Sequence, residues 1–327
     1  MNKILKRLAL VLVGVAMALV VVELGARVLL PKENSALAMP MADGTLDQLY
    51  FDEELGFFPK VGRGGEYGPY GCLANDYDID DKKDRKRLLF IGDSVTHRGK
   101  IVEALRELYG DADYEYWNAG VGAFNTAQIL EFFRRYNKNI HPDEVVLTFH
   151  NNDFQLTPVA KKENGEIVLY IPSREPVQAP LPFIGRTALY RLWLQQGAAE
   201  YERRPEEVKQ DLAELRRLSE EQGARFSVVL FPILSPLDEW SEREKNSRKN
   251  ALRVFQELGL RFFDPIEVLP ADDEKYPQLR QEPDDTWHPS PEGGMLLARY
   301  LFEAGLLEPS NPAKAEQKPS PGPEKSD

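Results

Sequence analysis

The chain has four histidines, His97, His141, His150 and His288. A serine nucleophile needs a base within reach of its hydroxyl, so any serine chemistry must draw on one of them. Gly92-Asp93-Ser94-Val95-Thr96 directly follows the apolar run Leu88-Leu89-Phe90-Ile91. A serine at such a turn presents its hydroxyl, with its backbone N–H near a helix start where negative charge is favoured. Taken alone, the tripeptide is a weak signal and reads more readily as a serine capping a helix. The second half of the chemistry is Asp284-Asp285-Thr286-Trp287-His288-Pro289. An acid three residues before a histidine can accept from one ring nitrogen, leaving the other to take a serine proton. His97 follows Ser94 by three residues and points along the same helix. His141 precedes a strand and falls at the wrong sheet edge, whereas His150 follows that strand and falls at the correct one.

These residues need a scaffold, and the patterning from Arg87 onward supplies one. Short, largely apolar runs predict strands over 88–91, 114–117, 145–149, 226–231 and 261–263. Helical spacing predicts helices over 101–108, from Thr126 as cap through 133, over 205–222 and over 241–258. Ser290-Pro291-Glu292 gives a cap, a first-turn proline and an early acid for a last helix through 301. Strands of this kind, buried on both faces and alternating with helices, imply an α/β three-layer sandwich around a five-stranded parallel sheet. Sites in such sheets lie at the carboxyl ends of the strands, where Ser94, His150 and His288 fall.

Four blocks in this order carry a resemblance: Gly92-Asp93-Ser94, Asn118-Ala119-Gly120-Val121-Gly122-Ala123-Phe124-Asn125-Thr126, Asn152-Asp153, and Asp285-x-x-His288. Over 88–307 the sequence resembles the SGNH/GDSL hydrolase family. The resemblance implies a flavodoxin-like α/β/α fold and metal-independent ester hydrolysis without a cofactor. It implies Ser94 as nucleophile, His288 as general base and acid, and Asp285 as its orienting partner. It also implies an oxyanion hole from the Ser94 N–H, a backbone N–H at Ala123 and the Asn152 amide. Two positions depart from the family pattern. Ala123 stands where the second block usually has glycine, with Gly122 just before it; the donor survives the change if φ stays negative. His150 stands where the third block usually has glycine, so it could narrow the pocket, contact the acyl group or cap the strand.

The remaining features set the surroundings. In the 327 residues, 41 Lys and Arg face 53 Asp and Glu, a net charge of −12, which argues against a nucleic-acid partner. The lone Cys72 excludes an intrachain disulfide framework. Lys3, Lys6 and Arg7 precede an uncharged run over 8–22, and Glu23 and Arg27 can pair beyond it. Residues 1–30 read as an uncleaved signal anchor holding the rest outside the cytoplasm, with a cleaved signal as the alternative. A linker and irregular arm over 31–86 then lead to the hydrolase domain, 87–308. An insertion over 154–204 holds a turn at 163–166, a strand over 167–170, a proline-rich loop over 172–182 and a short helix over 189–194; Tyr170, Tyr190 and Trp193 there could line a cleft. A disordered tail follows over 309–327. The reading is a serine esterase acting on an O-acyl ester, with a carbohydrate or cell-envelope component as candidate carrier. An acyltransferase with the same triad and a catalytically inactive binding module are the alternatives. A metal-dependent phosphohydrolase using Asp93, Asp153, Asp284, Asp285 and His288 is the remaining class.

Overall fold

The computed structural model describes residues 3–29, 37–40, 49–52, 55–62, 65–157, 159–163, 166–171 and 202–307. In chain order the first elements are helix α1 (Lys3–Leu29) and strands β1 (Leu37–Pro40), β2 (Leu49–Asp52), β3 (Gly56–Pro59) and β4 (Lys86–Gly92). Helices α2 (Ser94–His97) and α3 (Lys100–Tyr109), strand β5 (Tyr114–Gly120), helix α4 (Thr126–Tyr136) and strand β6 (Glu144–Phe149) follow. Strands β7 (Val159–Glu163) and β8 (Glu166–Ile171), helix α5 (Pro205–Glu221), strand β9 (Arg225–Leu230) and helix α6 (Glu242–Leu258) come next. Strand β10 (Arg261–Phe263) and helices α7 (Tyr276–Leu279) and α8 (Pro291–Glu303) complete the set. The expected loop over 172–182, the helix over 189–194 with Tyr190 and Trp193, and the tail over 309–327 lie outside the described residues.

The chain divides into two compact units, residues 1–47 with 155–204, and residues 48–154 with 205–327. In the first unit β1, β8 and β7 form an antiparallel sheet, with Leu37 opposite Ile171 and Val159 opposite Tyr170. The turn expected at 163–166 is a hairpin, since Glu163 pairs Glu166. A bridge between Gln155 and Glu202 closes the chain where it leaves and returns. Helix α1 forms over the apolar run and leaves Val11, Val13, Val15, Met17, Leu19, Val20, Val21, Val22 and Leu24 exposed. Among the described residues no helix is long and apolar enough to cross a membrane.

The second unit is built on a five-stranded sheet of order β10-β9-β6-β4-β5, parallel throughout. Strands β4, β5, β6 and β9 are buried on both faces over most of their length, as their largely apolar runs predict, while the edge strand β10 is only partly buried. Leu88 and Phe90 of β4 point into one core with Ile101 and Leu105 of α3 and Leu297 and Leu301 of α8. By the period of two, Leu89 and Ile91 point to the other face. There Phe149 of β6 stacks edge-on to Phe255 of α6 at 5.1 Å, and α4, α5 and α6 pack in sequence. From β4 the chain steps to β5 at one side, then crosses back to β6 and runs outward through β9 and β10. The direction therefore reverses between β4 and β6, and that crevice is where such sheets bind ligands.

Two local expectations change. Asn125, not Thr126, caps α4: its side chain accepts from Gln128 N–H while the Gln128 amide returns to the Asn125 N–H. That reciprocal box satisfies two free donors, and Thr126 instead hydrogen-bonds Asp211. The arm over 31–86 is also less irregular than its patterning suggests, because it contains β1, β2 and β3. Strands of four residues hold too few alternations to register as a period.

Candidate active site

Strand β4 delivers the serine. Its last residue, Gly92, has φ +154°, and a Cβ there would sit 2.2 Å from Thr96 Oγ1. Only glycine lets the chain turn this tightly into α2. Asp93 caps that turn, its Oδ1 accepting from Val95 N–H at 2.9 Å. Burial pushes the Asp93 carboxyl up to about 6, against the hydrogen bonds from Val95 N–H and Asn152 that favour its charged form. Ser94 is the first residue of α2 and is half-buried at the crevice.

The loop before α8 delivers the base. Ser290 caps α8 by accepting from Gly293 N–H at 3.0 Å, as its sequence signature predicts. Asp285 Oδ1 accepts from the N–H groups of Trp287 and His288, both at 3.1 Å, and this local turn sets the loop's shape. His288 Nδ1 lies 2.7 Å from Asp285 Oδ2, and His288 Nε2 lies 2.8 Å from Ser94 Oγ. The structure thus brings Ser94, His288 and Asp285 into one hydrogen-bonded line. Burial raises Asp285, but the hydrogen bonds from His288 and Trp287 N–H outweigh it, so its carboxyl lies below the usual range and is ionised. Burial lowers His288, Arg98 lowers it further, and the Asp285 partner opposes both. An ionised Asp285 accepts from Nδ1–H, which leaves Nε2 as the acceptor for the Ser94 hydroxyl.

The remaining predicted residues gather around this line. Val121-Gly122-Ala123-Phe124 is a turn closed by Phe124 N–H donating to Val121 O at 3.2 Å. A Cβ on Gly122 would stand 4.0 Å from Ser94 Cβ, so this turn borders the serine. Ala123 has φ +63°. The condition of a negative φ is therefore not met: the turn needs a left-handed residue at its third position, and the alanine takes the glycine's conformation. Asn152 lies in a short 3₁₀ turn after β6 and is buried; its Nδ2 donates to Phe124 O at 3.2 Å. The same amide is the side chain that helps hold Asp93 in its charged form. Asp153 braces the same turn, its Oδ2 accepting from His150 N–H at 2.7 Å. The His150 ring is buried between Phe231 and Trp287, at centroid distances of 5.6 and 5.1 Å. Burial and nearby His288 push it down to about 3, so it stays neutral.

Three contributors carry no sequence signal of their own. The arm that precedes β4 clamps the second block: Tyr67 Oη donates to Gly120 O at 2.6 Å, and Leu73 N–H donates to Asn118 O at 2.7 Å. His97 is held by this arm, its Nδ1 2.7 Å from Tyr67 Oη and its Nε2 3.4 Å from Glu66. Arg98 reaches Gln281 and Asp285. These contacts join segments distant in sequence, which spacing does not report. Among the described residues no cluster of His, Cys, Asp and Glu is placed to hold a metal ion.

No protein-family model matches the chain, and no curated protein matches it. The solved structures to which it is similar include GDSL-like lipases and an acetylxylan esterase. A GDSL-like lipase candidate from Parabacteroides merdae shares 16% identity over 69% of this chain and 98% of its own, with a TM-score of 0.46. A GDSL-like lipase from Bacteroides thetaiotaomicron shares 14% over 67% and 87%, with a TM-score of 0.40. An acetylxylan esterase from Geobacillus stearothermophilus shares 16% over 68% and 95%, with a TM-score of 0.44. At these scores, chemistry is read from the atoms of the site itself.

Proposed function

We propose that the chain is a serine ester hydrolase of the SGNH/GDSL type that works through an acyl-enzyme. One observation carries this reading: the unbroken relay from Ser94 Oγ through His288 to Asp285 Oδ2, at 2.8 and 2.7 Å. Ser94 Oγ attacks the ester carbonyl carbon while His288 Nε2 takes the hydroxyl proton. The developing oxyanion is met by the Ser94 N–H, with the Asn152 amide turning to it from Asp93, each such donor lowering the barrier by about 3 kcal/mol. His288 returns the proton to the departing alkoxide. A water molecule then repeats the sequence on the acyl-enzyme and frees Ser94. Asp285 holds the imidazole in its working tautomer throughout. The substrate class is an O-acyl ester, with an acylated carbohydrate or envelope component as carrier. The exposed apolar side chains of α1, behind Lys3, Lys6 and Arg7, support a membrane-anchored chain with its catalytic unit outside the cytoplasm.

The test is hydrolysis of p-nitrophenyl acetate by the chain and by Ser94→Ala. The substitution is expected to lower kcat/KM by roughly a thousandfold or more. Equal rates in the two proteins would sink the reading. A fluorophosphonate probe should label Ser94, and a folded chain that resists labelling is the non-catalytic binding module instead. Acyl transfer to a sugar hydroxyl faster than to water would mark the same acyl-enzyme as an acyltransferase.

A further inference from the structure

Arg98 has no role in the relay, yet it touches both halves of it. Its backbone N–H donates to Ser94 O at 3.0 Å, one turn after the nucleophile. Its Nη1 donates to Gln281 Oε1 and lies 3.6 Å from Asp285 Oδ2. That same Oδ2 is the oxygen 2.7 Å from His288 Nδ1. Gln281 is bound to the same loop, its N–H donating to His288 O at 2.9 Å. One guanidinium therefore spans from α2 to two points on the loop that holds the acid and the base.

We propose that Arg98 is a positioning residue of the triad, fastening the helix that carries Ser94 to the loop that carries Asp285 and His288. The inference rests on the serine-hydrolase reading of the site. A guanidinium suits the task because its planar fork can serve two acceptors at once, which an ammonium does less well. Its charge has a second consequence. The groups facing His288 are Asp285 from its own loop, Arg98 from α2, neutral His150 from the turn after β6, and the Ser94 hydroxyl. Asp285 favours the imidazolium and Arg98 disfavours it. Arg98 thus keeps His288 unprotonated, and able to take the serine proton, at lower pH than Asp285 alone would allow. Half-exposure of Arg98 screens this effect without abolishing it.

The experiment compares the full chain with Arg98→Gln and Arg98→Lys. Two quantities are read: kcat/KM for p-nitrophenyl acetate against pH, and the His288 imidazole titration by NMR. Arg98→Gln should lower kcat/KM about tenfold near the acid limb. It should also move both the limb and the imidazole midpoint to higher pH. Arg98→Lys keeps the charge and should return the midpoint toward the parent value. Its kcat should stay about threefold or more below the parent, because one ammonium holds the two acceptors poorly. If Arg98→Gln fails to fold, Arg98→Lys alone decides: a kcat equal to the parent overturns the fastening role. An Arg98→Gln protein with an unmoved limb and imidazole titration, altered only in melting temperature, also overturns the proposal. A parent chain with no Ser94-dependent turnover overturns the hydrolase reading instead, and the NMR titration still reads Arg98 against His288 directly.

Discussion

Ala123 sits where the turn bordering Ser94 requires a left-handed residue, and its φ is +63°. An L-residue there brings Cβ close to the following carbonyl, a strain of roughly 1–2 kcal/mol that glycine does not carry. Glycine in turn loses more freedom on folding, by roughly 0.5–1 kcal/mol. The balance favours glycine, so Ala123→Gly is expected to raise unfolding stability by about 0.5–1 kcal/mol, read as a higher midpoint in urea. A lower midpoint would mean that the turn is not left-handed at this position. Catalytic side chains and backbone demands differ in how they show in a sequence. Ser94, Asp285 and His288 were legible because their chemistry admits few residue types and their spacing fits one reaction. Ala123 was legible as a departure, but not as a strained one, since alanine is at home in almost every conformation except this one. Arg98 was not legible, because an arginine four residues after a serine looks like any solvated helix end.

At the scale of elements, the five strands were readable because each is a short, largely apolar run, and the helices because each repeats at 3.6. What the runs concealed is charge at their bases. Arg87 in β4 and Glu115 in β5 are buried side by side, with Arg87 Nε 2.7 Å from Glu115 Oε2. Arg85 and the Trp117 indole N–H complete the carboxylate, and Arg87 Nη1 donates to Ile140 O at 2.6 Å. The Arg87 guanidinium also lies 5.2 Å from the Trp117 ring centroid. Lone charged residues at strand starts read as solvated ends, and only the pairing of β4 with β5 brings them together. This network fixes the register of the two strands that end in Gly92 and Gly120. Removing one member leaves the other buried without compensation, which costs about 3–5 kcal/mol. Arg87→Met is therefore expected to lower stability by about 3 kcal/mol, the smaller end because Arg85 remains. The double replacement Arg87→Met with Glu115→Leu should recover most of that loss in urea unfolding. A single variant as stable as the parent would show that the pair does not pin the strands.

At the scale of the whole molecule, the catalytic unit is discontinuous: the chain leaves it after Phe154 and re-enters at Pro205. The insertion over 154–204 and α1 fall in the other unit. The net charge of −12 belongs to a chain whose first seven residues hold three basic side chains and no acid, so charge is segregated along it. Helix α1 has 27 residues, about 40 Å at 1.5 Å per residue. The anchor proposed above should resist extraction, because returning its apolar face to water costs about 25 cal/mol for each Å² exposed. Expressed in a Gram-negative host, the full chain is expected to stay in the membrane pellet after an alkaline carbonate wash at its full mass. Its catalytic unit should be digested by protease added to spheroplasts. Release into the wash at full mass would refute the anchor, and a shortened soluble chain in the periplasm would identify the segment as a cleaved signal.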